Sequence, residues 1–176
     1  DHAPAGVGLG RPRIAVAAEA PTALRCGVVT VSDTRTPQTD AGGRMIVERL
    51  GGAGHTIVRY AIVPDDAASI VELVRALVGQ CSVVILSGGT GIAKRDSTFE
   101  AVDRLLDKRL LGFGELFRML SYAQIGPGAM LSRATAGVTG GALVFSLPGS
   151  PNAVELALDK LILPELAHLV WETVRQ

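Results

Sequence analysis

Residues 82–106, SVVILSGGTGIAKRDSTFEAVDRLL, decide the architecture. Ser82 to Leu86 is a short β-branched apolar run, which reads as a strand buried on both faces. It opens into Ser87-Gly88-Gly89-Thr90-Gly91, and the next apolar residues, Phe99, Val102, Leu105 and Leu106, fall at helical spacing. The same order occurs twice upstream. Leu24 to Val31 (LRCGVVTV) reads as a strand ending in Ser32-Asp33-Thr34-Arg35, with a helix over Ala41 to Leu50 carried by Met45, Ile46 and Leu50. Thr56 to Val63 reads as a strand ending at Pro64-Asp65-Asp66, and Ile70, Val71, Leu73, Val74, Leu77 and Val78 mark a helix stopped by Gly79. Three βα units in a row predict an α/β fold: a three-layer α/β/α sandwich around a mostly parallel sheet with right-handed crossovers.

Further along, Gly112-Phe113-Gly114 reads as a turn before a helix over Glu115 to Tyr122, and Phe113, Phe117, Met119 and Tyr122 are spaced for a helix face, which points to core or subunit packing rather than base stacking. Arg133 to Val138 and Leu143 to Leu147 read as two strands of a β-hairpin joined across Thr139-Gly140-Gly141. Pro148-Gly149-Ser150-Pro151 then leads into an apolar helix from about Asn152, which Pro164 is expected to kink or split.

The chain has 176 residues, 48% of them hydrophobic and 19% charged, enough for one well-filled core and too few for two domains. The domain is expected over 24–176, with 1–23, rich in Ala, Pro and Gly, as an N-terminal tail. Its AVAA stretch is cut by Glu19, which spoils it as a signal-peptide core. Lysine plus arginine equals aspartate plus glutamate, 17 against 17, so no global field draws in nucleic acid or an anionic membrane. Every apolar run is broken before the roughly 18 residues of a membrane span. Cys26 and Cys81 lie in apolar, strand-like runs without CxxC spacing, which fits neither a disulfide framework nor a zinc site and suits a reducing cytoplasm. His2, His55 and His168 lack metal-ligand spacing, so no protein-ligated transition metal is expected.

In an open parallel sheet, ligands bind beyond the carboxyl ends of the strands. All the unusual polar loops fall there: Ser32-Asp33-Thr34, Pro64-Asp65-Asp66, Ser87 to Gly91, and Pro148 to Pro151. The Ser-Gly-Gly-Thr-Gly loop lets backbone amides approach a phosphate, with a helix N-terminus behind it. It is neither GxxxxGK[ST] nor GxGxxG, and the bland alternative is a tight strand-to-helix turn. Asp96, beside Lys94 and Arg95, makes sense next to phosphates as a Mg²⁺ ligand, with the basic pair neutralising phosphate charge. Ser97-Thr98-Phe99-Glu100 matches a capping box, so Ser97 is expected to cap the next helix while Asp96 reaches out. Of Asp65 and Asp66, the latter stands closer to a helix start, which leaves Asp65 for the rim. Ser150 with Pro151 has the form of an N-cap followed by a first-turn proline.

Taken together, VSDTR, IVPDD, LSGGTGIAKRDSTFEAV, GFGELFRMLSY, AMLSRA and FSLPGSPNAV resemble the MoaB/MogA family of molybdenum cofactor biosynthesis, whose fold also serves the G domain of gephyrin. The resemblance runs from about Leu24 to Val170, and GELFRMLSY and LPGSPNAV look closer to the MoaB branch. It implies a molybdopterin-binding fold, with molybdopterin and ATP as substrates and Mg²⁺ as the metal. Asp65 and Asp96 then correspond to the two aspartates associated with adenylylation, as catalytic residues and metal ligands. Ser32, Asp33, Thr34, Asp40, Ser87, Gly88, Gly89, Thr90, Gly91, Glu115, Pro148, Gly149 and Ser150 correspond to substrate-binding positions, Glu115 near the pterin. Family members often carry Ser-Gly where this chain has Asp40-Ala41-Gly42, which removes a hydroxyl and keeps the glycine. A homotrimer or hexamer is the usual assembly, and other molybdenum cofactor biosynthesis enzymes are implied partners.

The activity implied is transfer of AMP from Mg-ATP to molybdopterin with release of pyrophosphate. The alternative is a MoaB-type protein that binds molybdopterin or nucleotide without turnover. Retention of both aspartates favours the enzyme. A CinA-like nucleotide hydrolase on a similar fold ranks third, because the chain ends without a second domain.

Overall fold

The computed structural model describes residues 23–174. The tail reading for 1–23 and the proposed outer limits of the domain therefore fall largely outside the described residues. Six strands form one sheet in the order β2-β1-β3-β6-β5-β4. β1 (Arg25–Val31), β2 (Thr56–Val63), β3 (Val83–Ser87) and β6 (Ala142–Leu147) run parallel. β5 (Thr135–Thr139) runs antiparallel to β6, and the two-residue β4 (Lys108–Arg109) closes the edge antiparallel to β5. The fold is mixed α/β with a mostly parallel sheet, as the repeated βα units predict.

Helices cover both faces, and the apolar side chains divide accordingly. On one face α1 (Ala41–Gly52), α4 (Leu111–Ile125), α5 (Pro151–Ala157) and α6 (Leu163–Val174) enclose a core with Ile46, Phe117, Phe145, Val154, Ile162 and Leu166. Phe113 meets Phe145 edge to face there, with ring centres 5.2 Å apart. On the other face α2 (Ala67–Val78) and α3 (Thr98–Leu105) cover a smaller core with Val29, Ile70, Val74, Leu86 and Val102. β1 and β3, buried along almost their whole length, alternate side chains between the two cores. The Gly140–Gly141 turn of the hairpin has positive φ at both residues, 55° and 80°, which the type I′ two-residue turn requires.

One expectation needs correction. Gly112-Phe113-Gly114 is not a turn: the helix begins at Leu111 and runs through both glycines. Helix propensity is overridden there by packing, because a Cβ on Gly114 would stand 2.7 Å from the Ala134 carbonyl oxygen. The four aromatic and Met positions spaced for a helix face divide between core and surface. Phe113 and Phe117 are buried, whereas Met119 and Tyr122 are exposed. At Pro164 the helical path continues, but Leu158–Ile162 forms a π turn in which the Leu163 amide donates to Leu158. The wider turn absorbs the proline, which can supply no amide and crowds the preceding carbonyls.

Candidate functional site

The carboxyl ends of β1, β3 and β6 lie side by side, and the loops leaving them line an open cleft of 550 Å³. Ser32, Thr34 and Arg35 come from the first loop, Gly88 to Gly91 and Asp96 from the second, and Pro148 to Ser150 from the third. Leu131 and Ser132, from the short 3-10 turn Gly126–Leu131 and the residue after it, complete the wall. The cleft stands between β1 and β3, where one crossover leads to β2 and the next returns past β1 to β3, the place an open α/β sheet offers a ligand.

Each loop is held by its own polar atoms. Ser32 Oγ accepts from the amides of Thr34 and Arg35 at 3.2 and 3.0 Å, which turns the chain out of β1. Gly88 donates to the Leu147 carbonyl at 2.9 Å, and with φ at 99° a Cβ there would meet the Val31 carbonyl oxygen at 2.3 Å. Only glycine fits. Ser150 caps α5 by accepting from the Ala153 amide at 3.3 Å, with Pro151 in the first turn, as its spacing suggests.

The glycine loop leaves the amides of Gly89, Thr90 and Gly91 with no hydrogen bond among the described residues. Its carbonyls are taken: Arg133 donates to those of Thr90 and Gly91, pairs with Glu100, and lies over the Phe99 ring at 5.0 Å. A run of free amides beside anchored carbonyls is a nest for an anion. The N-terminus of α3 is less open than the sequence suggests, since Thr98 donates to the Gly89 carbonyl and Ser97 to Asp65.

Asp66 caps α2 by accepting from the Ser69 amide and hydroxyl at 3.0 and 2.8 Å. Asp65, 9% exposed, crosses instead to α3, where Oδ1 accepts from the Ser97 amide at 3.1 Å and the Ser97 hydroxyl at 2.6 Å. The capping box is therefore not made. Ser97 caps nothing with its side chain, and Glu100 turns to Arg133. Asp65 Oδ2 points at Gly89, 2.8 Å from where a Cβ would stand. Asp96 lines the cleft, with Oδ2 accepting from the Ala93 amide at 2.9 Å. Each aspartate thus keeps one oxygen without a partner among the described residues. Asp65 itself lies behind the glycine loop rather than on the cleft wall.

Several other expected binding residues stand back from the wall. Asp33 accepts two hydrogen bonds from Arg95, both at 2.8 Å, and one from the Asp65 amide at 3.1 Å. The Arg95 guanidinium holds the Asp33 carboxyl down at about 2. Asp40 is fully buried, accepting from Thr30, Tyr60 and the Gly43 amide at the start of α1. Ser87 is buried with an unpaired hydroxyl, and Glu115 is exposed on α4. The basic pair does not face the cleft either: Arg95 is spent on Asp33 and Lys94 is exposed away from the lining. Arg35, in VSDTR, and Leu131, Ser132 and Arg133, in AMLSRA, lie in motifs that carry the resemblance, but their places at the cleft become visible only once the loops are assembled.

Residues 27–168 match the family model described as "Probable molybdopterin binding domain". The chain belongs to this family. A molybdenum cofactor biosynthesis protein B from Bacillus cereus is 54% identical over 161 residues, covering 90% of this chain and 95% of that one. A solved structure of molybdenum cofactor biosynthesis protein B superposes with a TM-score of 0.86 at 54% identity, over 90% of this chain and all of the other. The tungsten cofactor synthesizing protein MoaB from Pyrococcus furiosus follows at 0.81 and 40%, over 89% and 100%. These neighbours agree with the MoaB side of the motif resemblance, in a fold built as this molybdopterin-binding family builds it.

The described residues include no set of three or more His, Cys, Asp or Glu side chains placed to hold a metal. His55 accepts from the Leu24 amide, and His168 sits between Glu165 and Glu172. Cys26 and Cys81 are free thiols in the core, and burial pushes Cys26 up to about 12. No helix among the described residues is long and apolar enough to cross a membrane.

Proposed function

We propose that this protein acts in molybdenum cofactor biosynthesis by adenylylating molybdopterin from Mg-ATP. The observation that carries the reading is the pair of half-satisfied aspartates, Asp65 and Asp96, flanking the three free amides of Gly89 to Gly91. The donor set suits Mg²⁺, which takes one or two carboxylates and fills its remaining positions with water and substrate phosphates. Asp96, with Asp65 through its free Oδ2, would hold the ion, whose chemistry is to neutralise phosphate charge. A terminal phosphate oxygen of molybdopterin bonds to the α-phosphorus of ATP, the bond from that phosphorus to the bridging oxygen breaks, and pyrophosphate leaves. The loop amides stabilise charge on the phosphoryl oxygens and the loops lining the cleft position the reactants, so no covalent nucleophile is needed.

The second reading is a molybdopterin or nucleotide binder without turnover. The recessed position of Asp65, bonded to Ser97 and off the cleft wall, favours it. Single-turnover formation of adenylylated molybdopterin, with a magnesium-free control, separates the two. Magnesium-dependent product supports the transferase, whereas tight molybdopterin binding without product leaves the binder. Asp96→Asn is expected to retain the fold and pterin binding and to lose magnesium-dependent turnover; an unchanged rate removes Asp96 from the mechanism.

We place the protein in the cytoplasm, in keeping with its two unpaired thiols, as a homotrimer or a hexamer built from trimers. Leu116, Met119, Tyr122 and Ile125 on α4, with Met130 and Leu131 after it, are exposed and supply the apolar surface such an assembly needs. Other enzymes that make or consume molybdopterin complete the expected partners.

A further inference from the structure

We propose that Arg35 is the anion-recognising side chain of the cleft and that it takes a phosphate group distinct from the one held by the Gly89–Gly91 amides. The inference takes from the proposed function only that the cleft receives a phosphorylated ligand.

The charge distribution leads to it. Four arginines and lysines stand in or around the three loops, and three are committed or turned away. Arg95 is bonded twice to Asp33, Arg133 is bonded to Glu100 and two loop carbonyls, and Lys94 does not reach the wall. Arg35 lines the cleft with its side chain 34% exposed and uses one donor, Nη1, on the Gly149 carbonyl at 3.0 Å. Its Nε and Nη2 have no partner among the described residues. A guanidinium with a free edge is a planar donor pair suited to two phosphate oxygens.

The side chain is also held in place before any ligand arrives. Its backbone amide is fixed by Ser32 Oγ, and its guanidinium lies 3.9 Å from the buried Asp40 carboxylate. Asp40 cannot swing out to neutralise a neighbour, because Thr30, Tyr60 and the Gly43 amide all donate to it. The pair leaves Arg35 oriented while its outer edge remains open, which lowers the ordering cost of binding.

Position separates this donor from the rest of the site. A Cβ on Gly149 would be 3.6 Å from Arg35 Nη1 and 3.2 Å from Gly88 Cα, whereas Asp96 packs at Gly91. The cation stands at the start of the glycine loop and the cleft-lining carboxylate at its end. A ligand with two phosphate positions spans the loop, one end against Arg35 and the other beside Asp96, with the free amides between them.

Inorganic phosphate in magnesium-free buffer is the probe, followed by amide and Arg Nε shifts in two-dimensional NMR. Phosphate is expected to shift Arg35, Gly88 and Gly149, and Arg35→Gln to weaken its affinity about tenfold or more. Arg35→Lys should recover part of that loss, and Asp96→Asn should leave the affinity equal or tighter. Equal phosphate affinity in the Arg35→Gln and unaltered proteins, both folded by the same spectra, overturns the assignment. So do shifts confined to residues 89–91. If product forms, a raised KM for molybdopterin alone in Arg35→Gln assigns the pterin's phosphate, a raised KM for ATP alone assigns the nucleotide, and unchanged values for both refute the inference while the transferase stands. If no product forms but phosphate binding still depends on Arg35, the transferase reading falls and this one survives.

Discussion

Asp65 and Asp66 are adjacent in the chain and have different tasks, because a helix starts after only one of them. Asp66 spends its carboxylate on the first turn of α2, while Asp65 reaches another element and keeps an oxygen free. The cap at Asp66 was legible from its distance to the apolar periodicity. The bond from Asp65 to Ser97 was not, since 32 residues separate them and local spacing offered Ser97 a capping box instead. Asp33 shows the same limit: placed on the rim by sequence, it braces Arg95 and the Asp65 amide. With Arg95 changed to Ala, the Asp33 carboxyl is expected to rise from about 2 toward its ordinary 3.8, followed by NMR titration of the side-chain carboxyl carbon. The sign follows from the lowered value. The ion pair contributes above the ordinary carboxylate range and is lost as pH falls from about 3.8 through 2, so it does not weaken the loop near neutrality.

At the scale of elements, the three βα units and the hairpin were legible because strand and helix periods alternate cleanly and glycines mark the joints. The start of α4 was not, because two glycines in a helix make sense only once the Ala134 carbonyl lies against one of them. Nor was β4, whose two charged residues have no pattern apart from their partner β5. The glycine loop is an element fixed by another: Arg133, from the segment before β5, takes the carbonyls of Thr90 and Gly91, while the loop's amides are left without a partner among the described residues. Arg133→Met keeps an unbranched apolar stem and removes these bonds. It is expected to cost about 1–3 kcal/mol in denaturant unfolding and to raise KM for the phosphorylated substrates. A change in unfolding without any change in KM would mean that Arg133 supports the fold and not the loop.

For the whole molecule, the balance of charge and the exposed apolar side chains of α4 belong together: with 17 charges of each sign, no net repulsion opposes association of copies. Met119, 60% exposed, is the test position. Met119→Glu is expected to yield monomers by sedimentation with the fold retained. An assembly of unchanged mass would move the interface to another face. The two unequal cores have a different consequence. Among the described residues the smaller one is covered by α2 and α3 alone, and the glycine loop is the strand-side tether of α3 through the bond from the Thr98 amide to the Gly89 carbonyl, with the loop after β2 holding α3 as well through Asp65 and Ser97. Native-state opening is least costly where the fewest apolar contacts are lost. A ligand that immobilises the loop therefore clamps the thinner layer as well, so that filling the cleft and slowing amide exchange along α2 and α3 are two readouts of one equilibrium.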